Sequence, residues 1–144
     1  MKESTKIDFI ISYFNYWKIK LELDNICKTE IKKDNRIKYR ADVGRDSNTG
    51  IYYIRFNSKL IGTRIEIIHL ILHEIGHVIH DFRIQDPIKH EYLAELFALK
   101  TAKEYYPKYY KSMVKESIKV LTIPKQSKYH IEGYKRALKE LKEI

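Results

Sequence analysis

The chain has 144 residues, 44% hydrophobic and 33% charged, with 28 Lys/Arg against 19 Asp/Glu and a formal net charge of +9. This size and balance predict one soluble globular domain over residues 1–144, built round a single buried core. Cys27 is the only cysteine, so an intramolecular disulfide is excluded, and no apolar run approaches the roughly 20 residues needed to span a bilayer.

Asp8 and Ser12 interrupt the apolar residues after Met1–Lys6, unlike a signal peptide, and the expected location is cytoplasmic. The charge is uneven: residues 100–144 hold 12 Lys/Arg against 5 Asp/Glu. Such a surface attracts acidic partners, nucleic acid included, in a salt-dependent way. No helix-turn-helix or zinc-finger spacing accompanies it, so the favoured reading is a solvated, lysine-faced set of helices.

In chain order, Ser4 or Thr5 is a candidate cap for a first helix. Ile7, Ile10, Ile11, Phe14, Trp17 and Leu21 recur at helical steps and predict a helix reaching about Asn25. Lys28 to Asn35 reads as a polar separator. Arg36–Val43 alternates as a half-buried strand, Gly44–Gly50 is a turn by composition, and Ile51–Asn57 is a second strand. The two strands predict an antiparallel hairpin, with Ile51–Asn57 a candidate edge for pairing an extended peptide.

Gly62-Thr63 then offers a cap for a long helix carrying His73-Glu74-Ile75-Gly76-His77, an H-E-x-x-H sequence. On a helix, residues four apart differ by only about 40° in direction, so both imidazoles can reach one ion. Zinc held by two histidines leaves room for a third protein ligand and a water, and Glu74 is placed to take that water's proton. Ile67, Ile68, Ile71, Ile75, Val78, Ile79 and Phe82 fall on one side of this helix; Glu66, His69, His73, His77 and His80 fall on the other. His69 and His80 are read as surface or supporting residues, because one helix cannot present three consecutive turns to one ion. Gly76 costs roughly 1 kcal/mol in mid-helix relative to Ala. Close approach of another backbone would account for it; a neutral glycine is the alternative.

Asp86-Pro87 reads as a turn. In His90–Ala102, Glu91 and Glu95 share one side, flanked by Ala94, Ala98 and Ala102, while Leu93, Leu96 and Phe97 face away. Small residues beside carboxylates permit the close helix approach that a Zn–O bond of about 2.0–2.2 Å requires. With H-E-x-x-H upstream, Glu91 is the favoured third zinc ligand; the alternative is a plain amphipathic helix with solvated glutamates. Tyr106-Pro107 ends this helix. Lys108–Leu121 is helical, Ile123-Pro124 is a break, and a last helix runs from Ser127 or Lys128 to Ile144 with Ile131, Tyr134, Leu138 and Leu141 as its apolar face.

Asn57, His73-Glu74-Ile75-Gly76-His77 and Glu91-x-x-Ala94-Glu95-x-Phe97-Ala98 together resemble the ImmA/IrrE family of bacterial and phage metallopeptidases. The resemblance covers about residues 35–105. It implies an α+β fold: a minimal zincin-like (gluzincin-like) metallopeptidase core, with a small antiparallel hairpin or sheet packed on the active-site helix. The basic helical part, about 106–144, lies outside it. It implies zinc on His73, His77 and Glu91, with Glu74 as general base. Glu95, longer than the family's usual small polar residue, would hydrogen-bond a ligand imidazole, His73 by preference. The oxyanion-stabilising group stays open among His90, His130, Tyr52 and Tyr53. The implied substrate is a specific intracellular protein, in this family characteristically a helix-turn-helix repressor of a phage, mobile element or stress response. The competing readings are a catalytically silent regulatory module and a nucleic-acid-associated protein using the basic last third.

Overall fold

A computed structural model describes residues 1–80 and 85–144. Among them the fold is α+β, with six α-helices and a three-stranded mixed sheet. The chain divides into two compact units, Met1–Glu74 and Ile75–Ile144, and the division falls inside helix α3 (Arg64–Ile79).

In the first unit, α1 spans Glu3–Lys20 and buries Ile10, Phe14 and Trp17, one face at helical spacing. The helix stops short of Asn25 because Glu22 turns into the left-handed region (φ 50°). That reversal starts the short helix α2 (Leu23–Ile26) and puts Leu23 into the core with no exposed surface. Lys6 Nζ donates to the Ser58 carbonyl at 2.9 Å, and Ser58 Oγ donates to the Glu3 carboxylate, tying α1 to the turn after the sheet.

The sheet order is β1 (Thr29–Lys33), β3 (Tyr52–Phe56), β2 (Ala41–Arg45). β2 and β3 pair antiparallel as expected, with Val43 opposite Ile54. β1, in the stretch read as a polar separator, pairs parallel to β3 with Ile31 opposite Ile54. Its outward charges hide the alternation: Glu30, Lys32 and Lys33 are exposed, and only Thr29 is fully buried. This changes two expectations. The sheet is mixed rather than an antiparallel hairpin, and Ile51–Asn57 is the central strand, hydrogen-bonded on both sides. With both edges occupied, it has no backbone groups to offer a peptide.

The expected strand Arg36–Val43 is displaced to Ala41–Arg45 because residues 34–37 are held in a turn. The Asp34 carboxylate accepts from the Arg36 backbone and guanidinium, at 2.9–3.0 Å. Buried Asn57 donates to the carbonyls of Asn35 (3.3 Å) and Ile37 (2.9 Å). Arg55 and Asp42, directly opposite across β2 and β3, form a paired ion bridge. The hairpin turn closes on Asp46, whose Oδ1 accepts from the Asn48 and Thr49 amides, and on Gly50 at φ 73°.

Thr63 caps α3 as expected: its Oγ1 accepts from the Glu66 amide at 3.2 Å, while the Glu66 carboxylate reaches back to the Gly62 amide at 3.0 Å. Ile67, Ile68, Ile71, Leu72, Ile75 and Val78 are buried, but so are His69, His73, Glu74 and His77. The helix is therefore enclosed all round at its centre, and its histidine stripe is an interior surface rather than a wet one. Phe82, assigned to the apolar side, lies outside the described residues.

The second unit holds α4 (Pro87–Tyr105), α5 (Pro107–Val120) and α6 (Lys128–Glu140), each packed on the other two. Asp86-Pro87 is the start of α4 rather than a turn, with Asp86 capping the Ile88 and Lys89 amides and Pro87 at the first helical position. The alanine side of α4 is the fully buried one: Ala94, Ala98 and Ala102 have no exposed surface, while Leu93 and Phe97 are half-buried. α6 is capped by Ser127 and ends at Glu140, short of Ile144. Its buried positions are Gly133, Ala137 and Leu138, so small residues let it sit close to α4. Every Lys and Arg from Lys100 to Lys142 is exposed, as a solvated face requires. No described helix is long and apolar enough to cross a membrane.

Candidate metal centre

His73 and His77 occupy successive turns of α3, and Glu91 stands in the first half of α4. One ligand atom from each of the three lies within 4.8 Å of the other two. The best-defined pair is His77 Nε2 and Glu91 Oε1, 3.3 Å apart. Two donors bound tetrahedrally to one zinc at about 2.0–2.1 Å stand about 3.3–3.4 Å from each other. The donor types and this spacing fit zinc.

Gly76 explains how α4 comes so near. A Cβ built there would lie 2.9 Å from both the Cα and the carbonyl oxygen of Ala94. No other residue fits under that backbone, so the glycine's cost in helix propensity is offset by contact. Gly133 plays the same part for α6: a Cβ there would lie 2.6 Å from the Glu91 Cβ and 2.9 Å from the Tyr92 amide nitrogen. The α4–α6 contact is further held by Tyr92, whose hydroxyl donates to Glu140 Oε1 at 2.6 Å and whose ring lies under the Arg136 guanidinium.

Glu74 is 8% exposed, beside His73 on the same turn. Glu95 is fully buried, and its Oε2 accepts from Ser117 Oγ on α5. Sequence reading does not find Ser117, because a serine inside an amphipathic helix carries no local mark of its partner. A buried carboxylate costs several kcal/mol unless its oxygens are bonded, so one such donor opposite Glu95 is what the fold must supply.

Two further histidines lie around this group. His90 Nδ1 is 3.2 Å from His77 Nδ1, with ring centroids 4.4 Å apart. His130 Nε2, from α6, is 3.5 Å from Glu91 Oε2. His69 is buried one turn before His73. His80 is half-buried; burial, and then the nearby His90 and His77 imidazoles, hold it below the usual histidine value. Of the tyrosines considered for the site, Tyr52 is buried in β3 and Tyr53 lies under Lys32 Nζ at 3.9 Å.

No family model matches this chain, and neither a curated protein nor a solved structure matches it significantly.

Proposed function

We propose that this chain is a zinc-dependent endopeptidase with a zincin-like core of the ImmA/IrrE type, acting in the cytoplasm on a specific protein. The observation that carries the reading is the convergence of His73, His77 and Glu91, with the 3.3 Å separation of His77 Nε2 and Glu91 Oε1. His73, His77 and Glu91 hold the ion in this reading. When bound, zinc supplies a water of lowered pKa and polarises the scissile carbonyl. Glu74 takes the proton of the attacking water and delivers it to the leaving amine. Glu95 steadies the His73 imidazole, which keeps that ring in the orientation needed for binding. The substrate class implied by the resemblance is a helix-turn-helix repressor.

The burial of Glu74 and both histidines supports this reading over an exposed acidic cluster, since a dry site strengthens charge interactions and limits competing water. The basic last third, with all its cations exposed, needs no nucleic acid to account for it.

Metal analysis of the purified protein and of His77→Ala is the first test. Near-stoichiometric zinc in the wild type and its loss in the variant are expected; zinc content unchanged by the substitution rules out the assigned ligands. Glu74→Gln is expected to retain zinc and abolish cleavage of a co-expressed repressor substrate. Normal cleavage by that variant would remove Glu74 as the base.

A further inference from the structure

We infer that His90 and His130 are positioning residues, one behind each of two neighbouring ligands, and that α6 is thereby part of the metal centre. The inference rests on the zinc-site reading above. Each of His77 and Glu91 has two polar atoms, and in each case one faces the other ligand while the second faces a histidine.

For His77, Nε2 faces Glu91 Oε1 at 3.3 Å and Nδ1 faces His90 Nδ1 at 3.2 Å. A ring nitrogen that binds a cation must offer a lone pair, so neutral His77 carries its proton on Nδ1. That Nδ1–H then donates to His90 Nδ1, which leaves the His90 proton on Nε2. A single contact thus selects the tautomer of both rings and fixes the tilt of the ligating one. A carboxylate or a carbonyl is the usual partner of a ligating imidazole; a neutral imidazole gives the same orientation without adding negative charge.

For Glu91, Oε1 faces His77 and Oε2 faces His130 Nε2 at 3.5 Å. An Nε2–H on His130 donates to Oε2 and holds the carboxylate so that Oε1 stays turned to the ion. The Glu91 side chain is 13% exposed and that of His130 40%, so the carboxylate is the more enclosed of the two groups. Its placement follows from Gly133, one turn later on α6, which brings the α6 backbone against Glu91 itself. Tyr92, bonded to Glu140, secures the same contact about two turns further along α6. A helix bearing no recognisable motif is in this way built into the site through a glycine and a histidine.

Zinc affinity by chelator competition, with cobalt(II) absorption as a report of ligand geometry, tests the inference on the full chain. His90→Ala and His130→Ala are each expected to weaken zinc binding about 10–100-fold and to broaden or shift the cobalt bands. His90→Asn, whose Oδ1 accepts from His77 Nδ1, and His130→Gln, whose amide donates to Glu91, are expected to recover most of the affinity. A purely structural role would lower the melting temperature of the metal-free protein and leave these ratios at one. If both alanine variants bind zinc within about twofold of wild type while His77→Ala loses it, the inference fails and the zinc site stands. If the wild type binds no zinc, the site reading fails and takes the inference with it. Nitrogen-15 NMR of the metal-free protein gives an independent check: His77 protonated on Nε2 rather than Nδ1 would also overturn it.

Discussion

Gly76 of α3 lies directly beneath the Ala94 backbone of α4, close enough that a methyl group would meet both the Cα and the carbonyl oxygen at 2.9 Å. Helix propensity favours Gly76→Ala by roughly 1 kcal/mol. The overlap with backbone, which cannot swing aside as a side chain can, outweighs that gain, and overpacking of this kind typically costs about 1–3 kcal/mol. Gly76→Ala and Gly133→Ala are therefore both expected to be less stable than wild type in urea. Gly44→Ala serves as the control, since nothing lies within 4 Å of a Cβ there. Equal midpoints for all three would show that the two close approaches are not as drawn.

Ser117 and Glu95 give a second prediction. Ser117 is fully buried, and its hydroxyl donates to a carboxylate with no exposed surface. Ser117→Ala removes the donor and leaves the acceptor in place, which costs about 1–3 kcal/mol for a buried polar group and more for a charged one. A lowered urea midpoint with an unchanged slope is the expected result. An unchanged midpoint would mean that the bond to Ser117 adds nothing to the fold.

Tyr110 carries a pH dependence whose sign follows from its surroundings. Burial, and then the bond from its hydroxyl to Glu143 Oε1 at 2.9 Å, push its phenol up to about 12. An unfolded tyrosine ionises near 10. The fold therefore favours the neutral phenol, and its contribution is complete below pH 10 and lost as pH rises from about 10 to 12. Tyr110→Phe cannot ionise in either state. The stability gap between wild type and this variant is expected to be widest at pH 8 and to narrow by pH 11 in parallel urea titrations. A gap that does not narrow would place the hydroxyl in water.

Zinc itself is expected to raise the melting temperature. A ligand that binds only the folded state adds about 2.7 kcal/mol at a free concentration 100 times its dissociation constant. Differential scanning with and without added zinc should show the shift in wild type and its absence in His77→Ala. A shift of equal size in both proteins would point to adventitious binding elsewhere on the chain.

The parts legible in the sequence are those governed by local chemistry. Residue types at helical spacing put His73 and His77 on one stripe of α3, and Glu91 near Ala94 on another helix; Thr63 and Ser127 mark two helix starts by the hydrogen bonds their side chains can make, whereas Asp86-Pro87 reads as a turn and only the structure shows it capping α4. Gly76 in mid-helix is conspicuous because its cost has to be offset somewhere. Tertiary structure alone decided the rest, since each remaining feature pairs residues far apart along the chain. β1 is a strand because β3 supplies its partners, and its own charged pattern conceals this. Ile54 belongs to a central strand only once β1 and β2 both lie against β3. Ser117, His90 and His130 carry no motif; they matter through an oxygen or a nitrogen brought to about hydrogen-bonding distance where α5, α3 and α6 respectively meet α4. Periodicity encodes which face of a helix is buried, but the partner it is buried against depends on three-dimensional closure, which no single stretch of sequence contains.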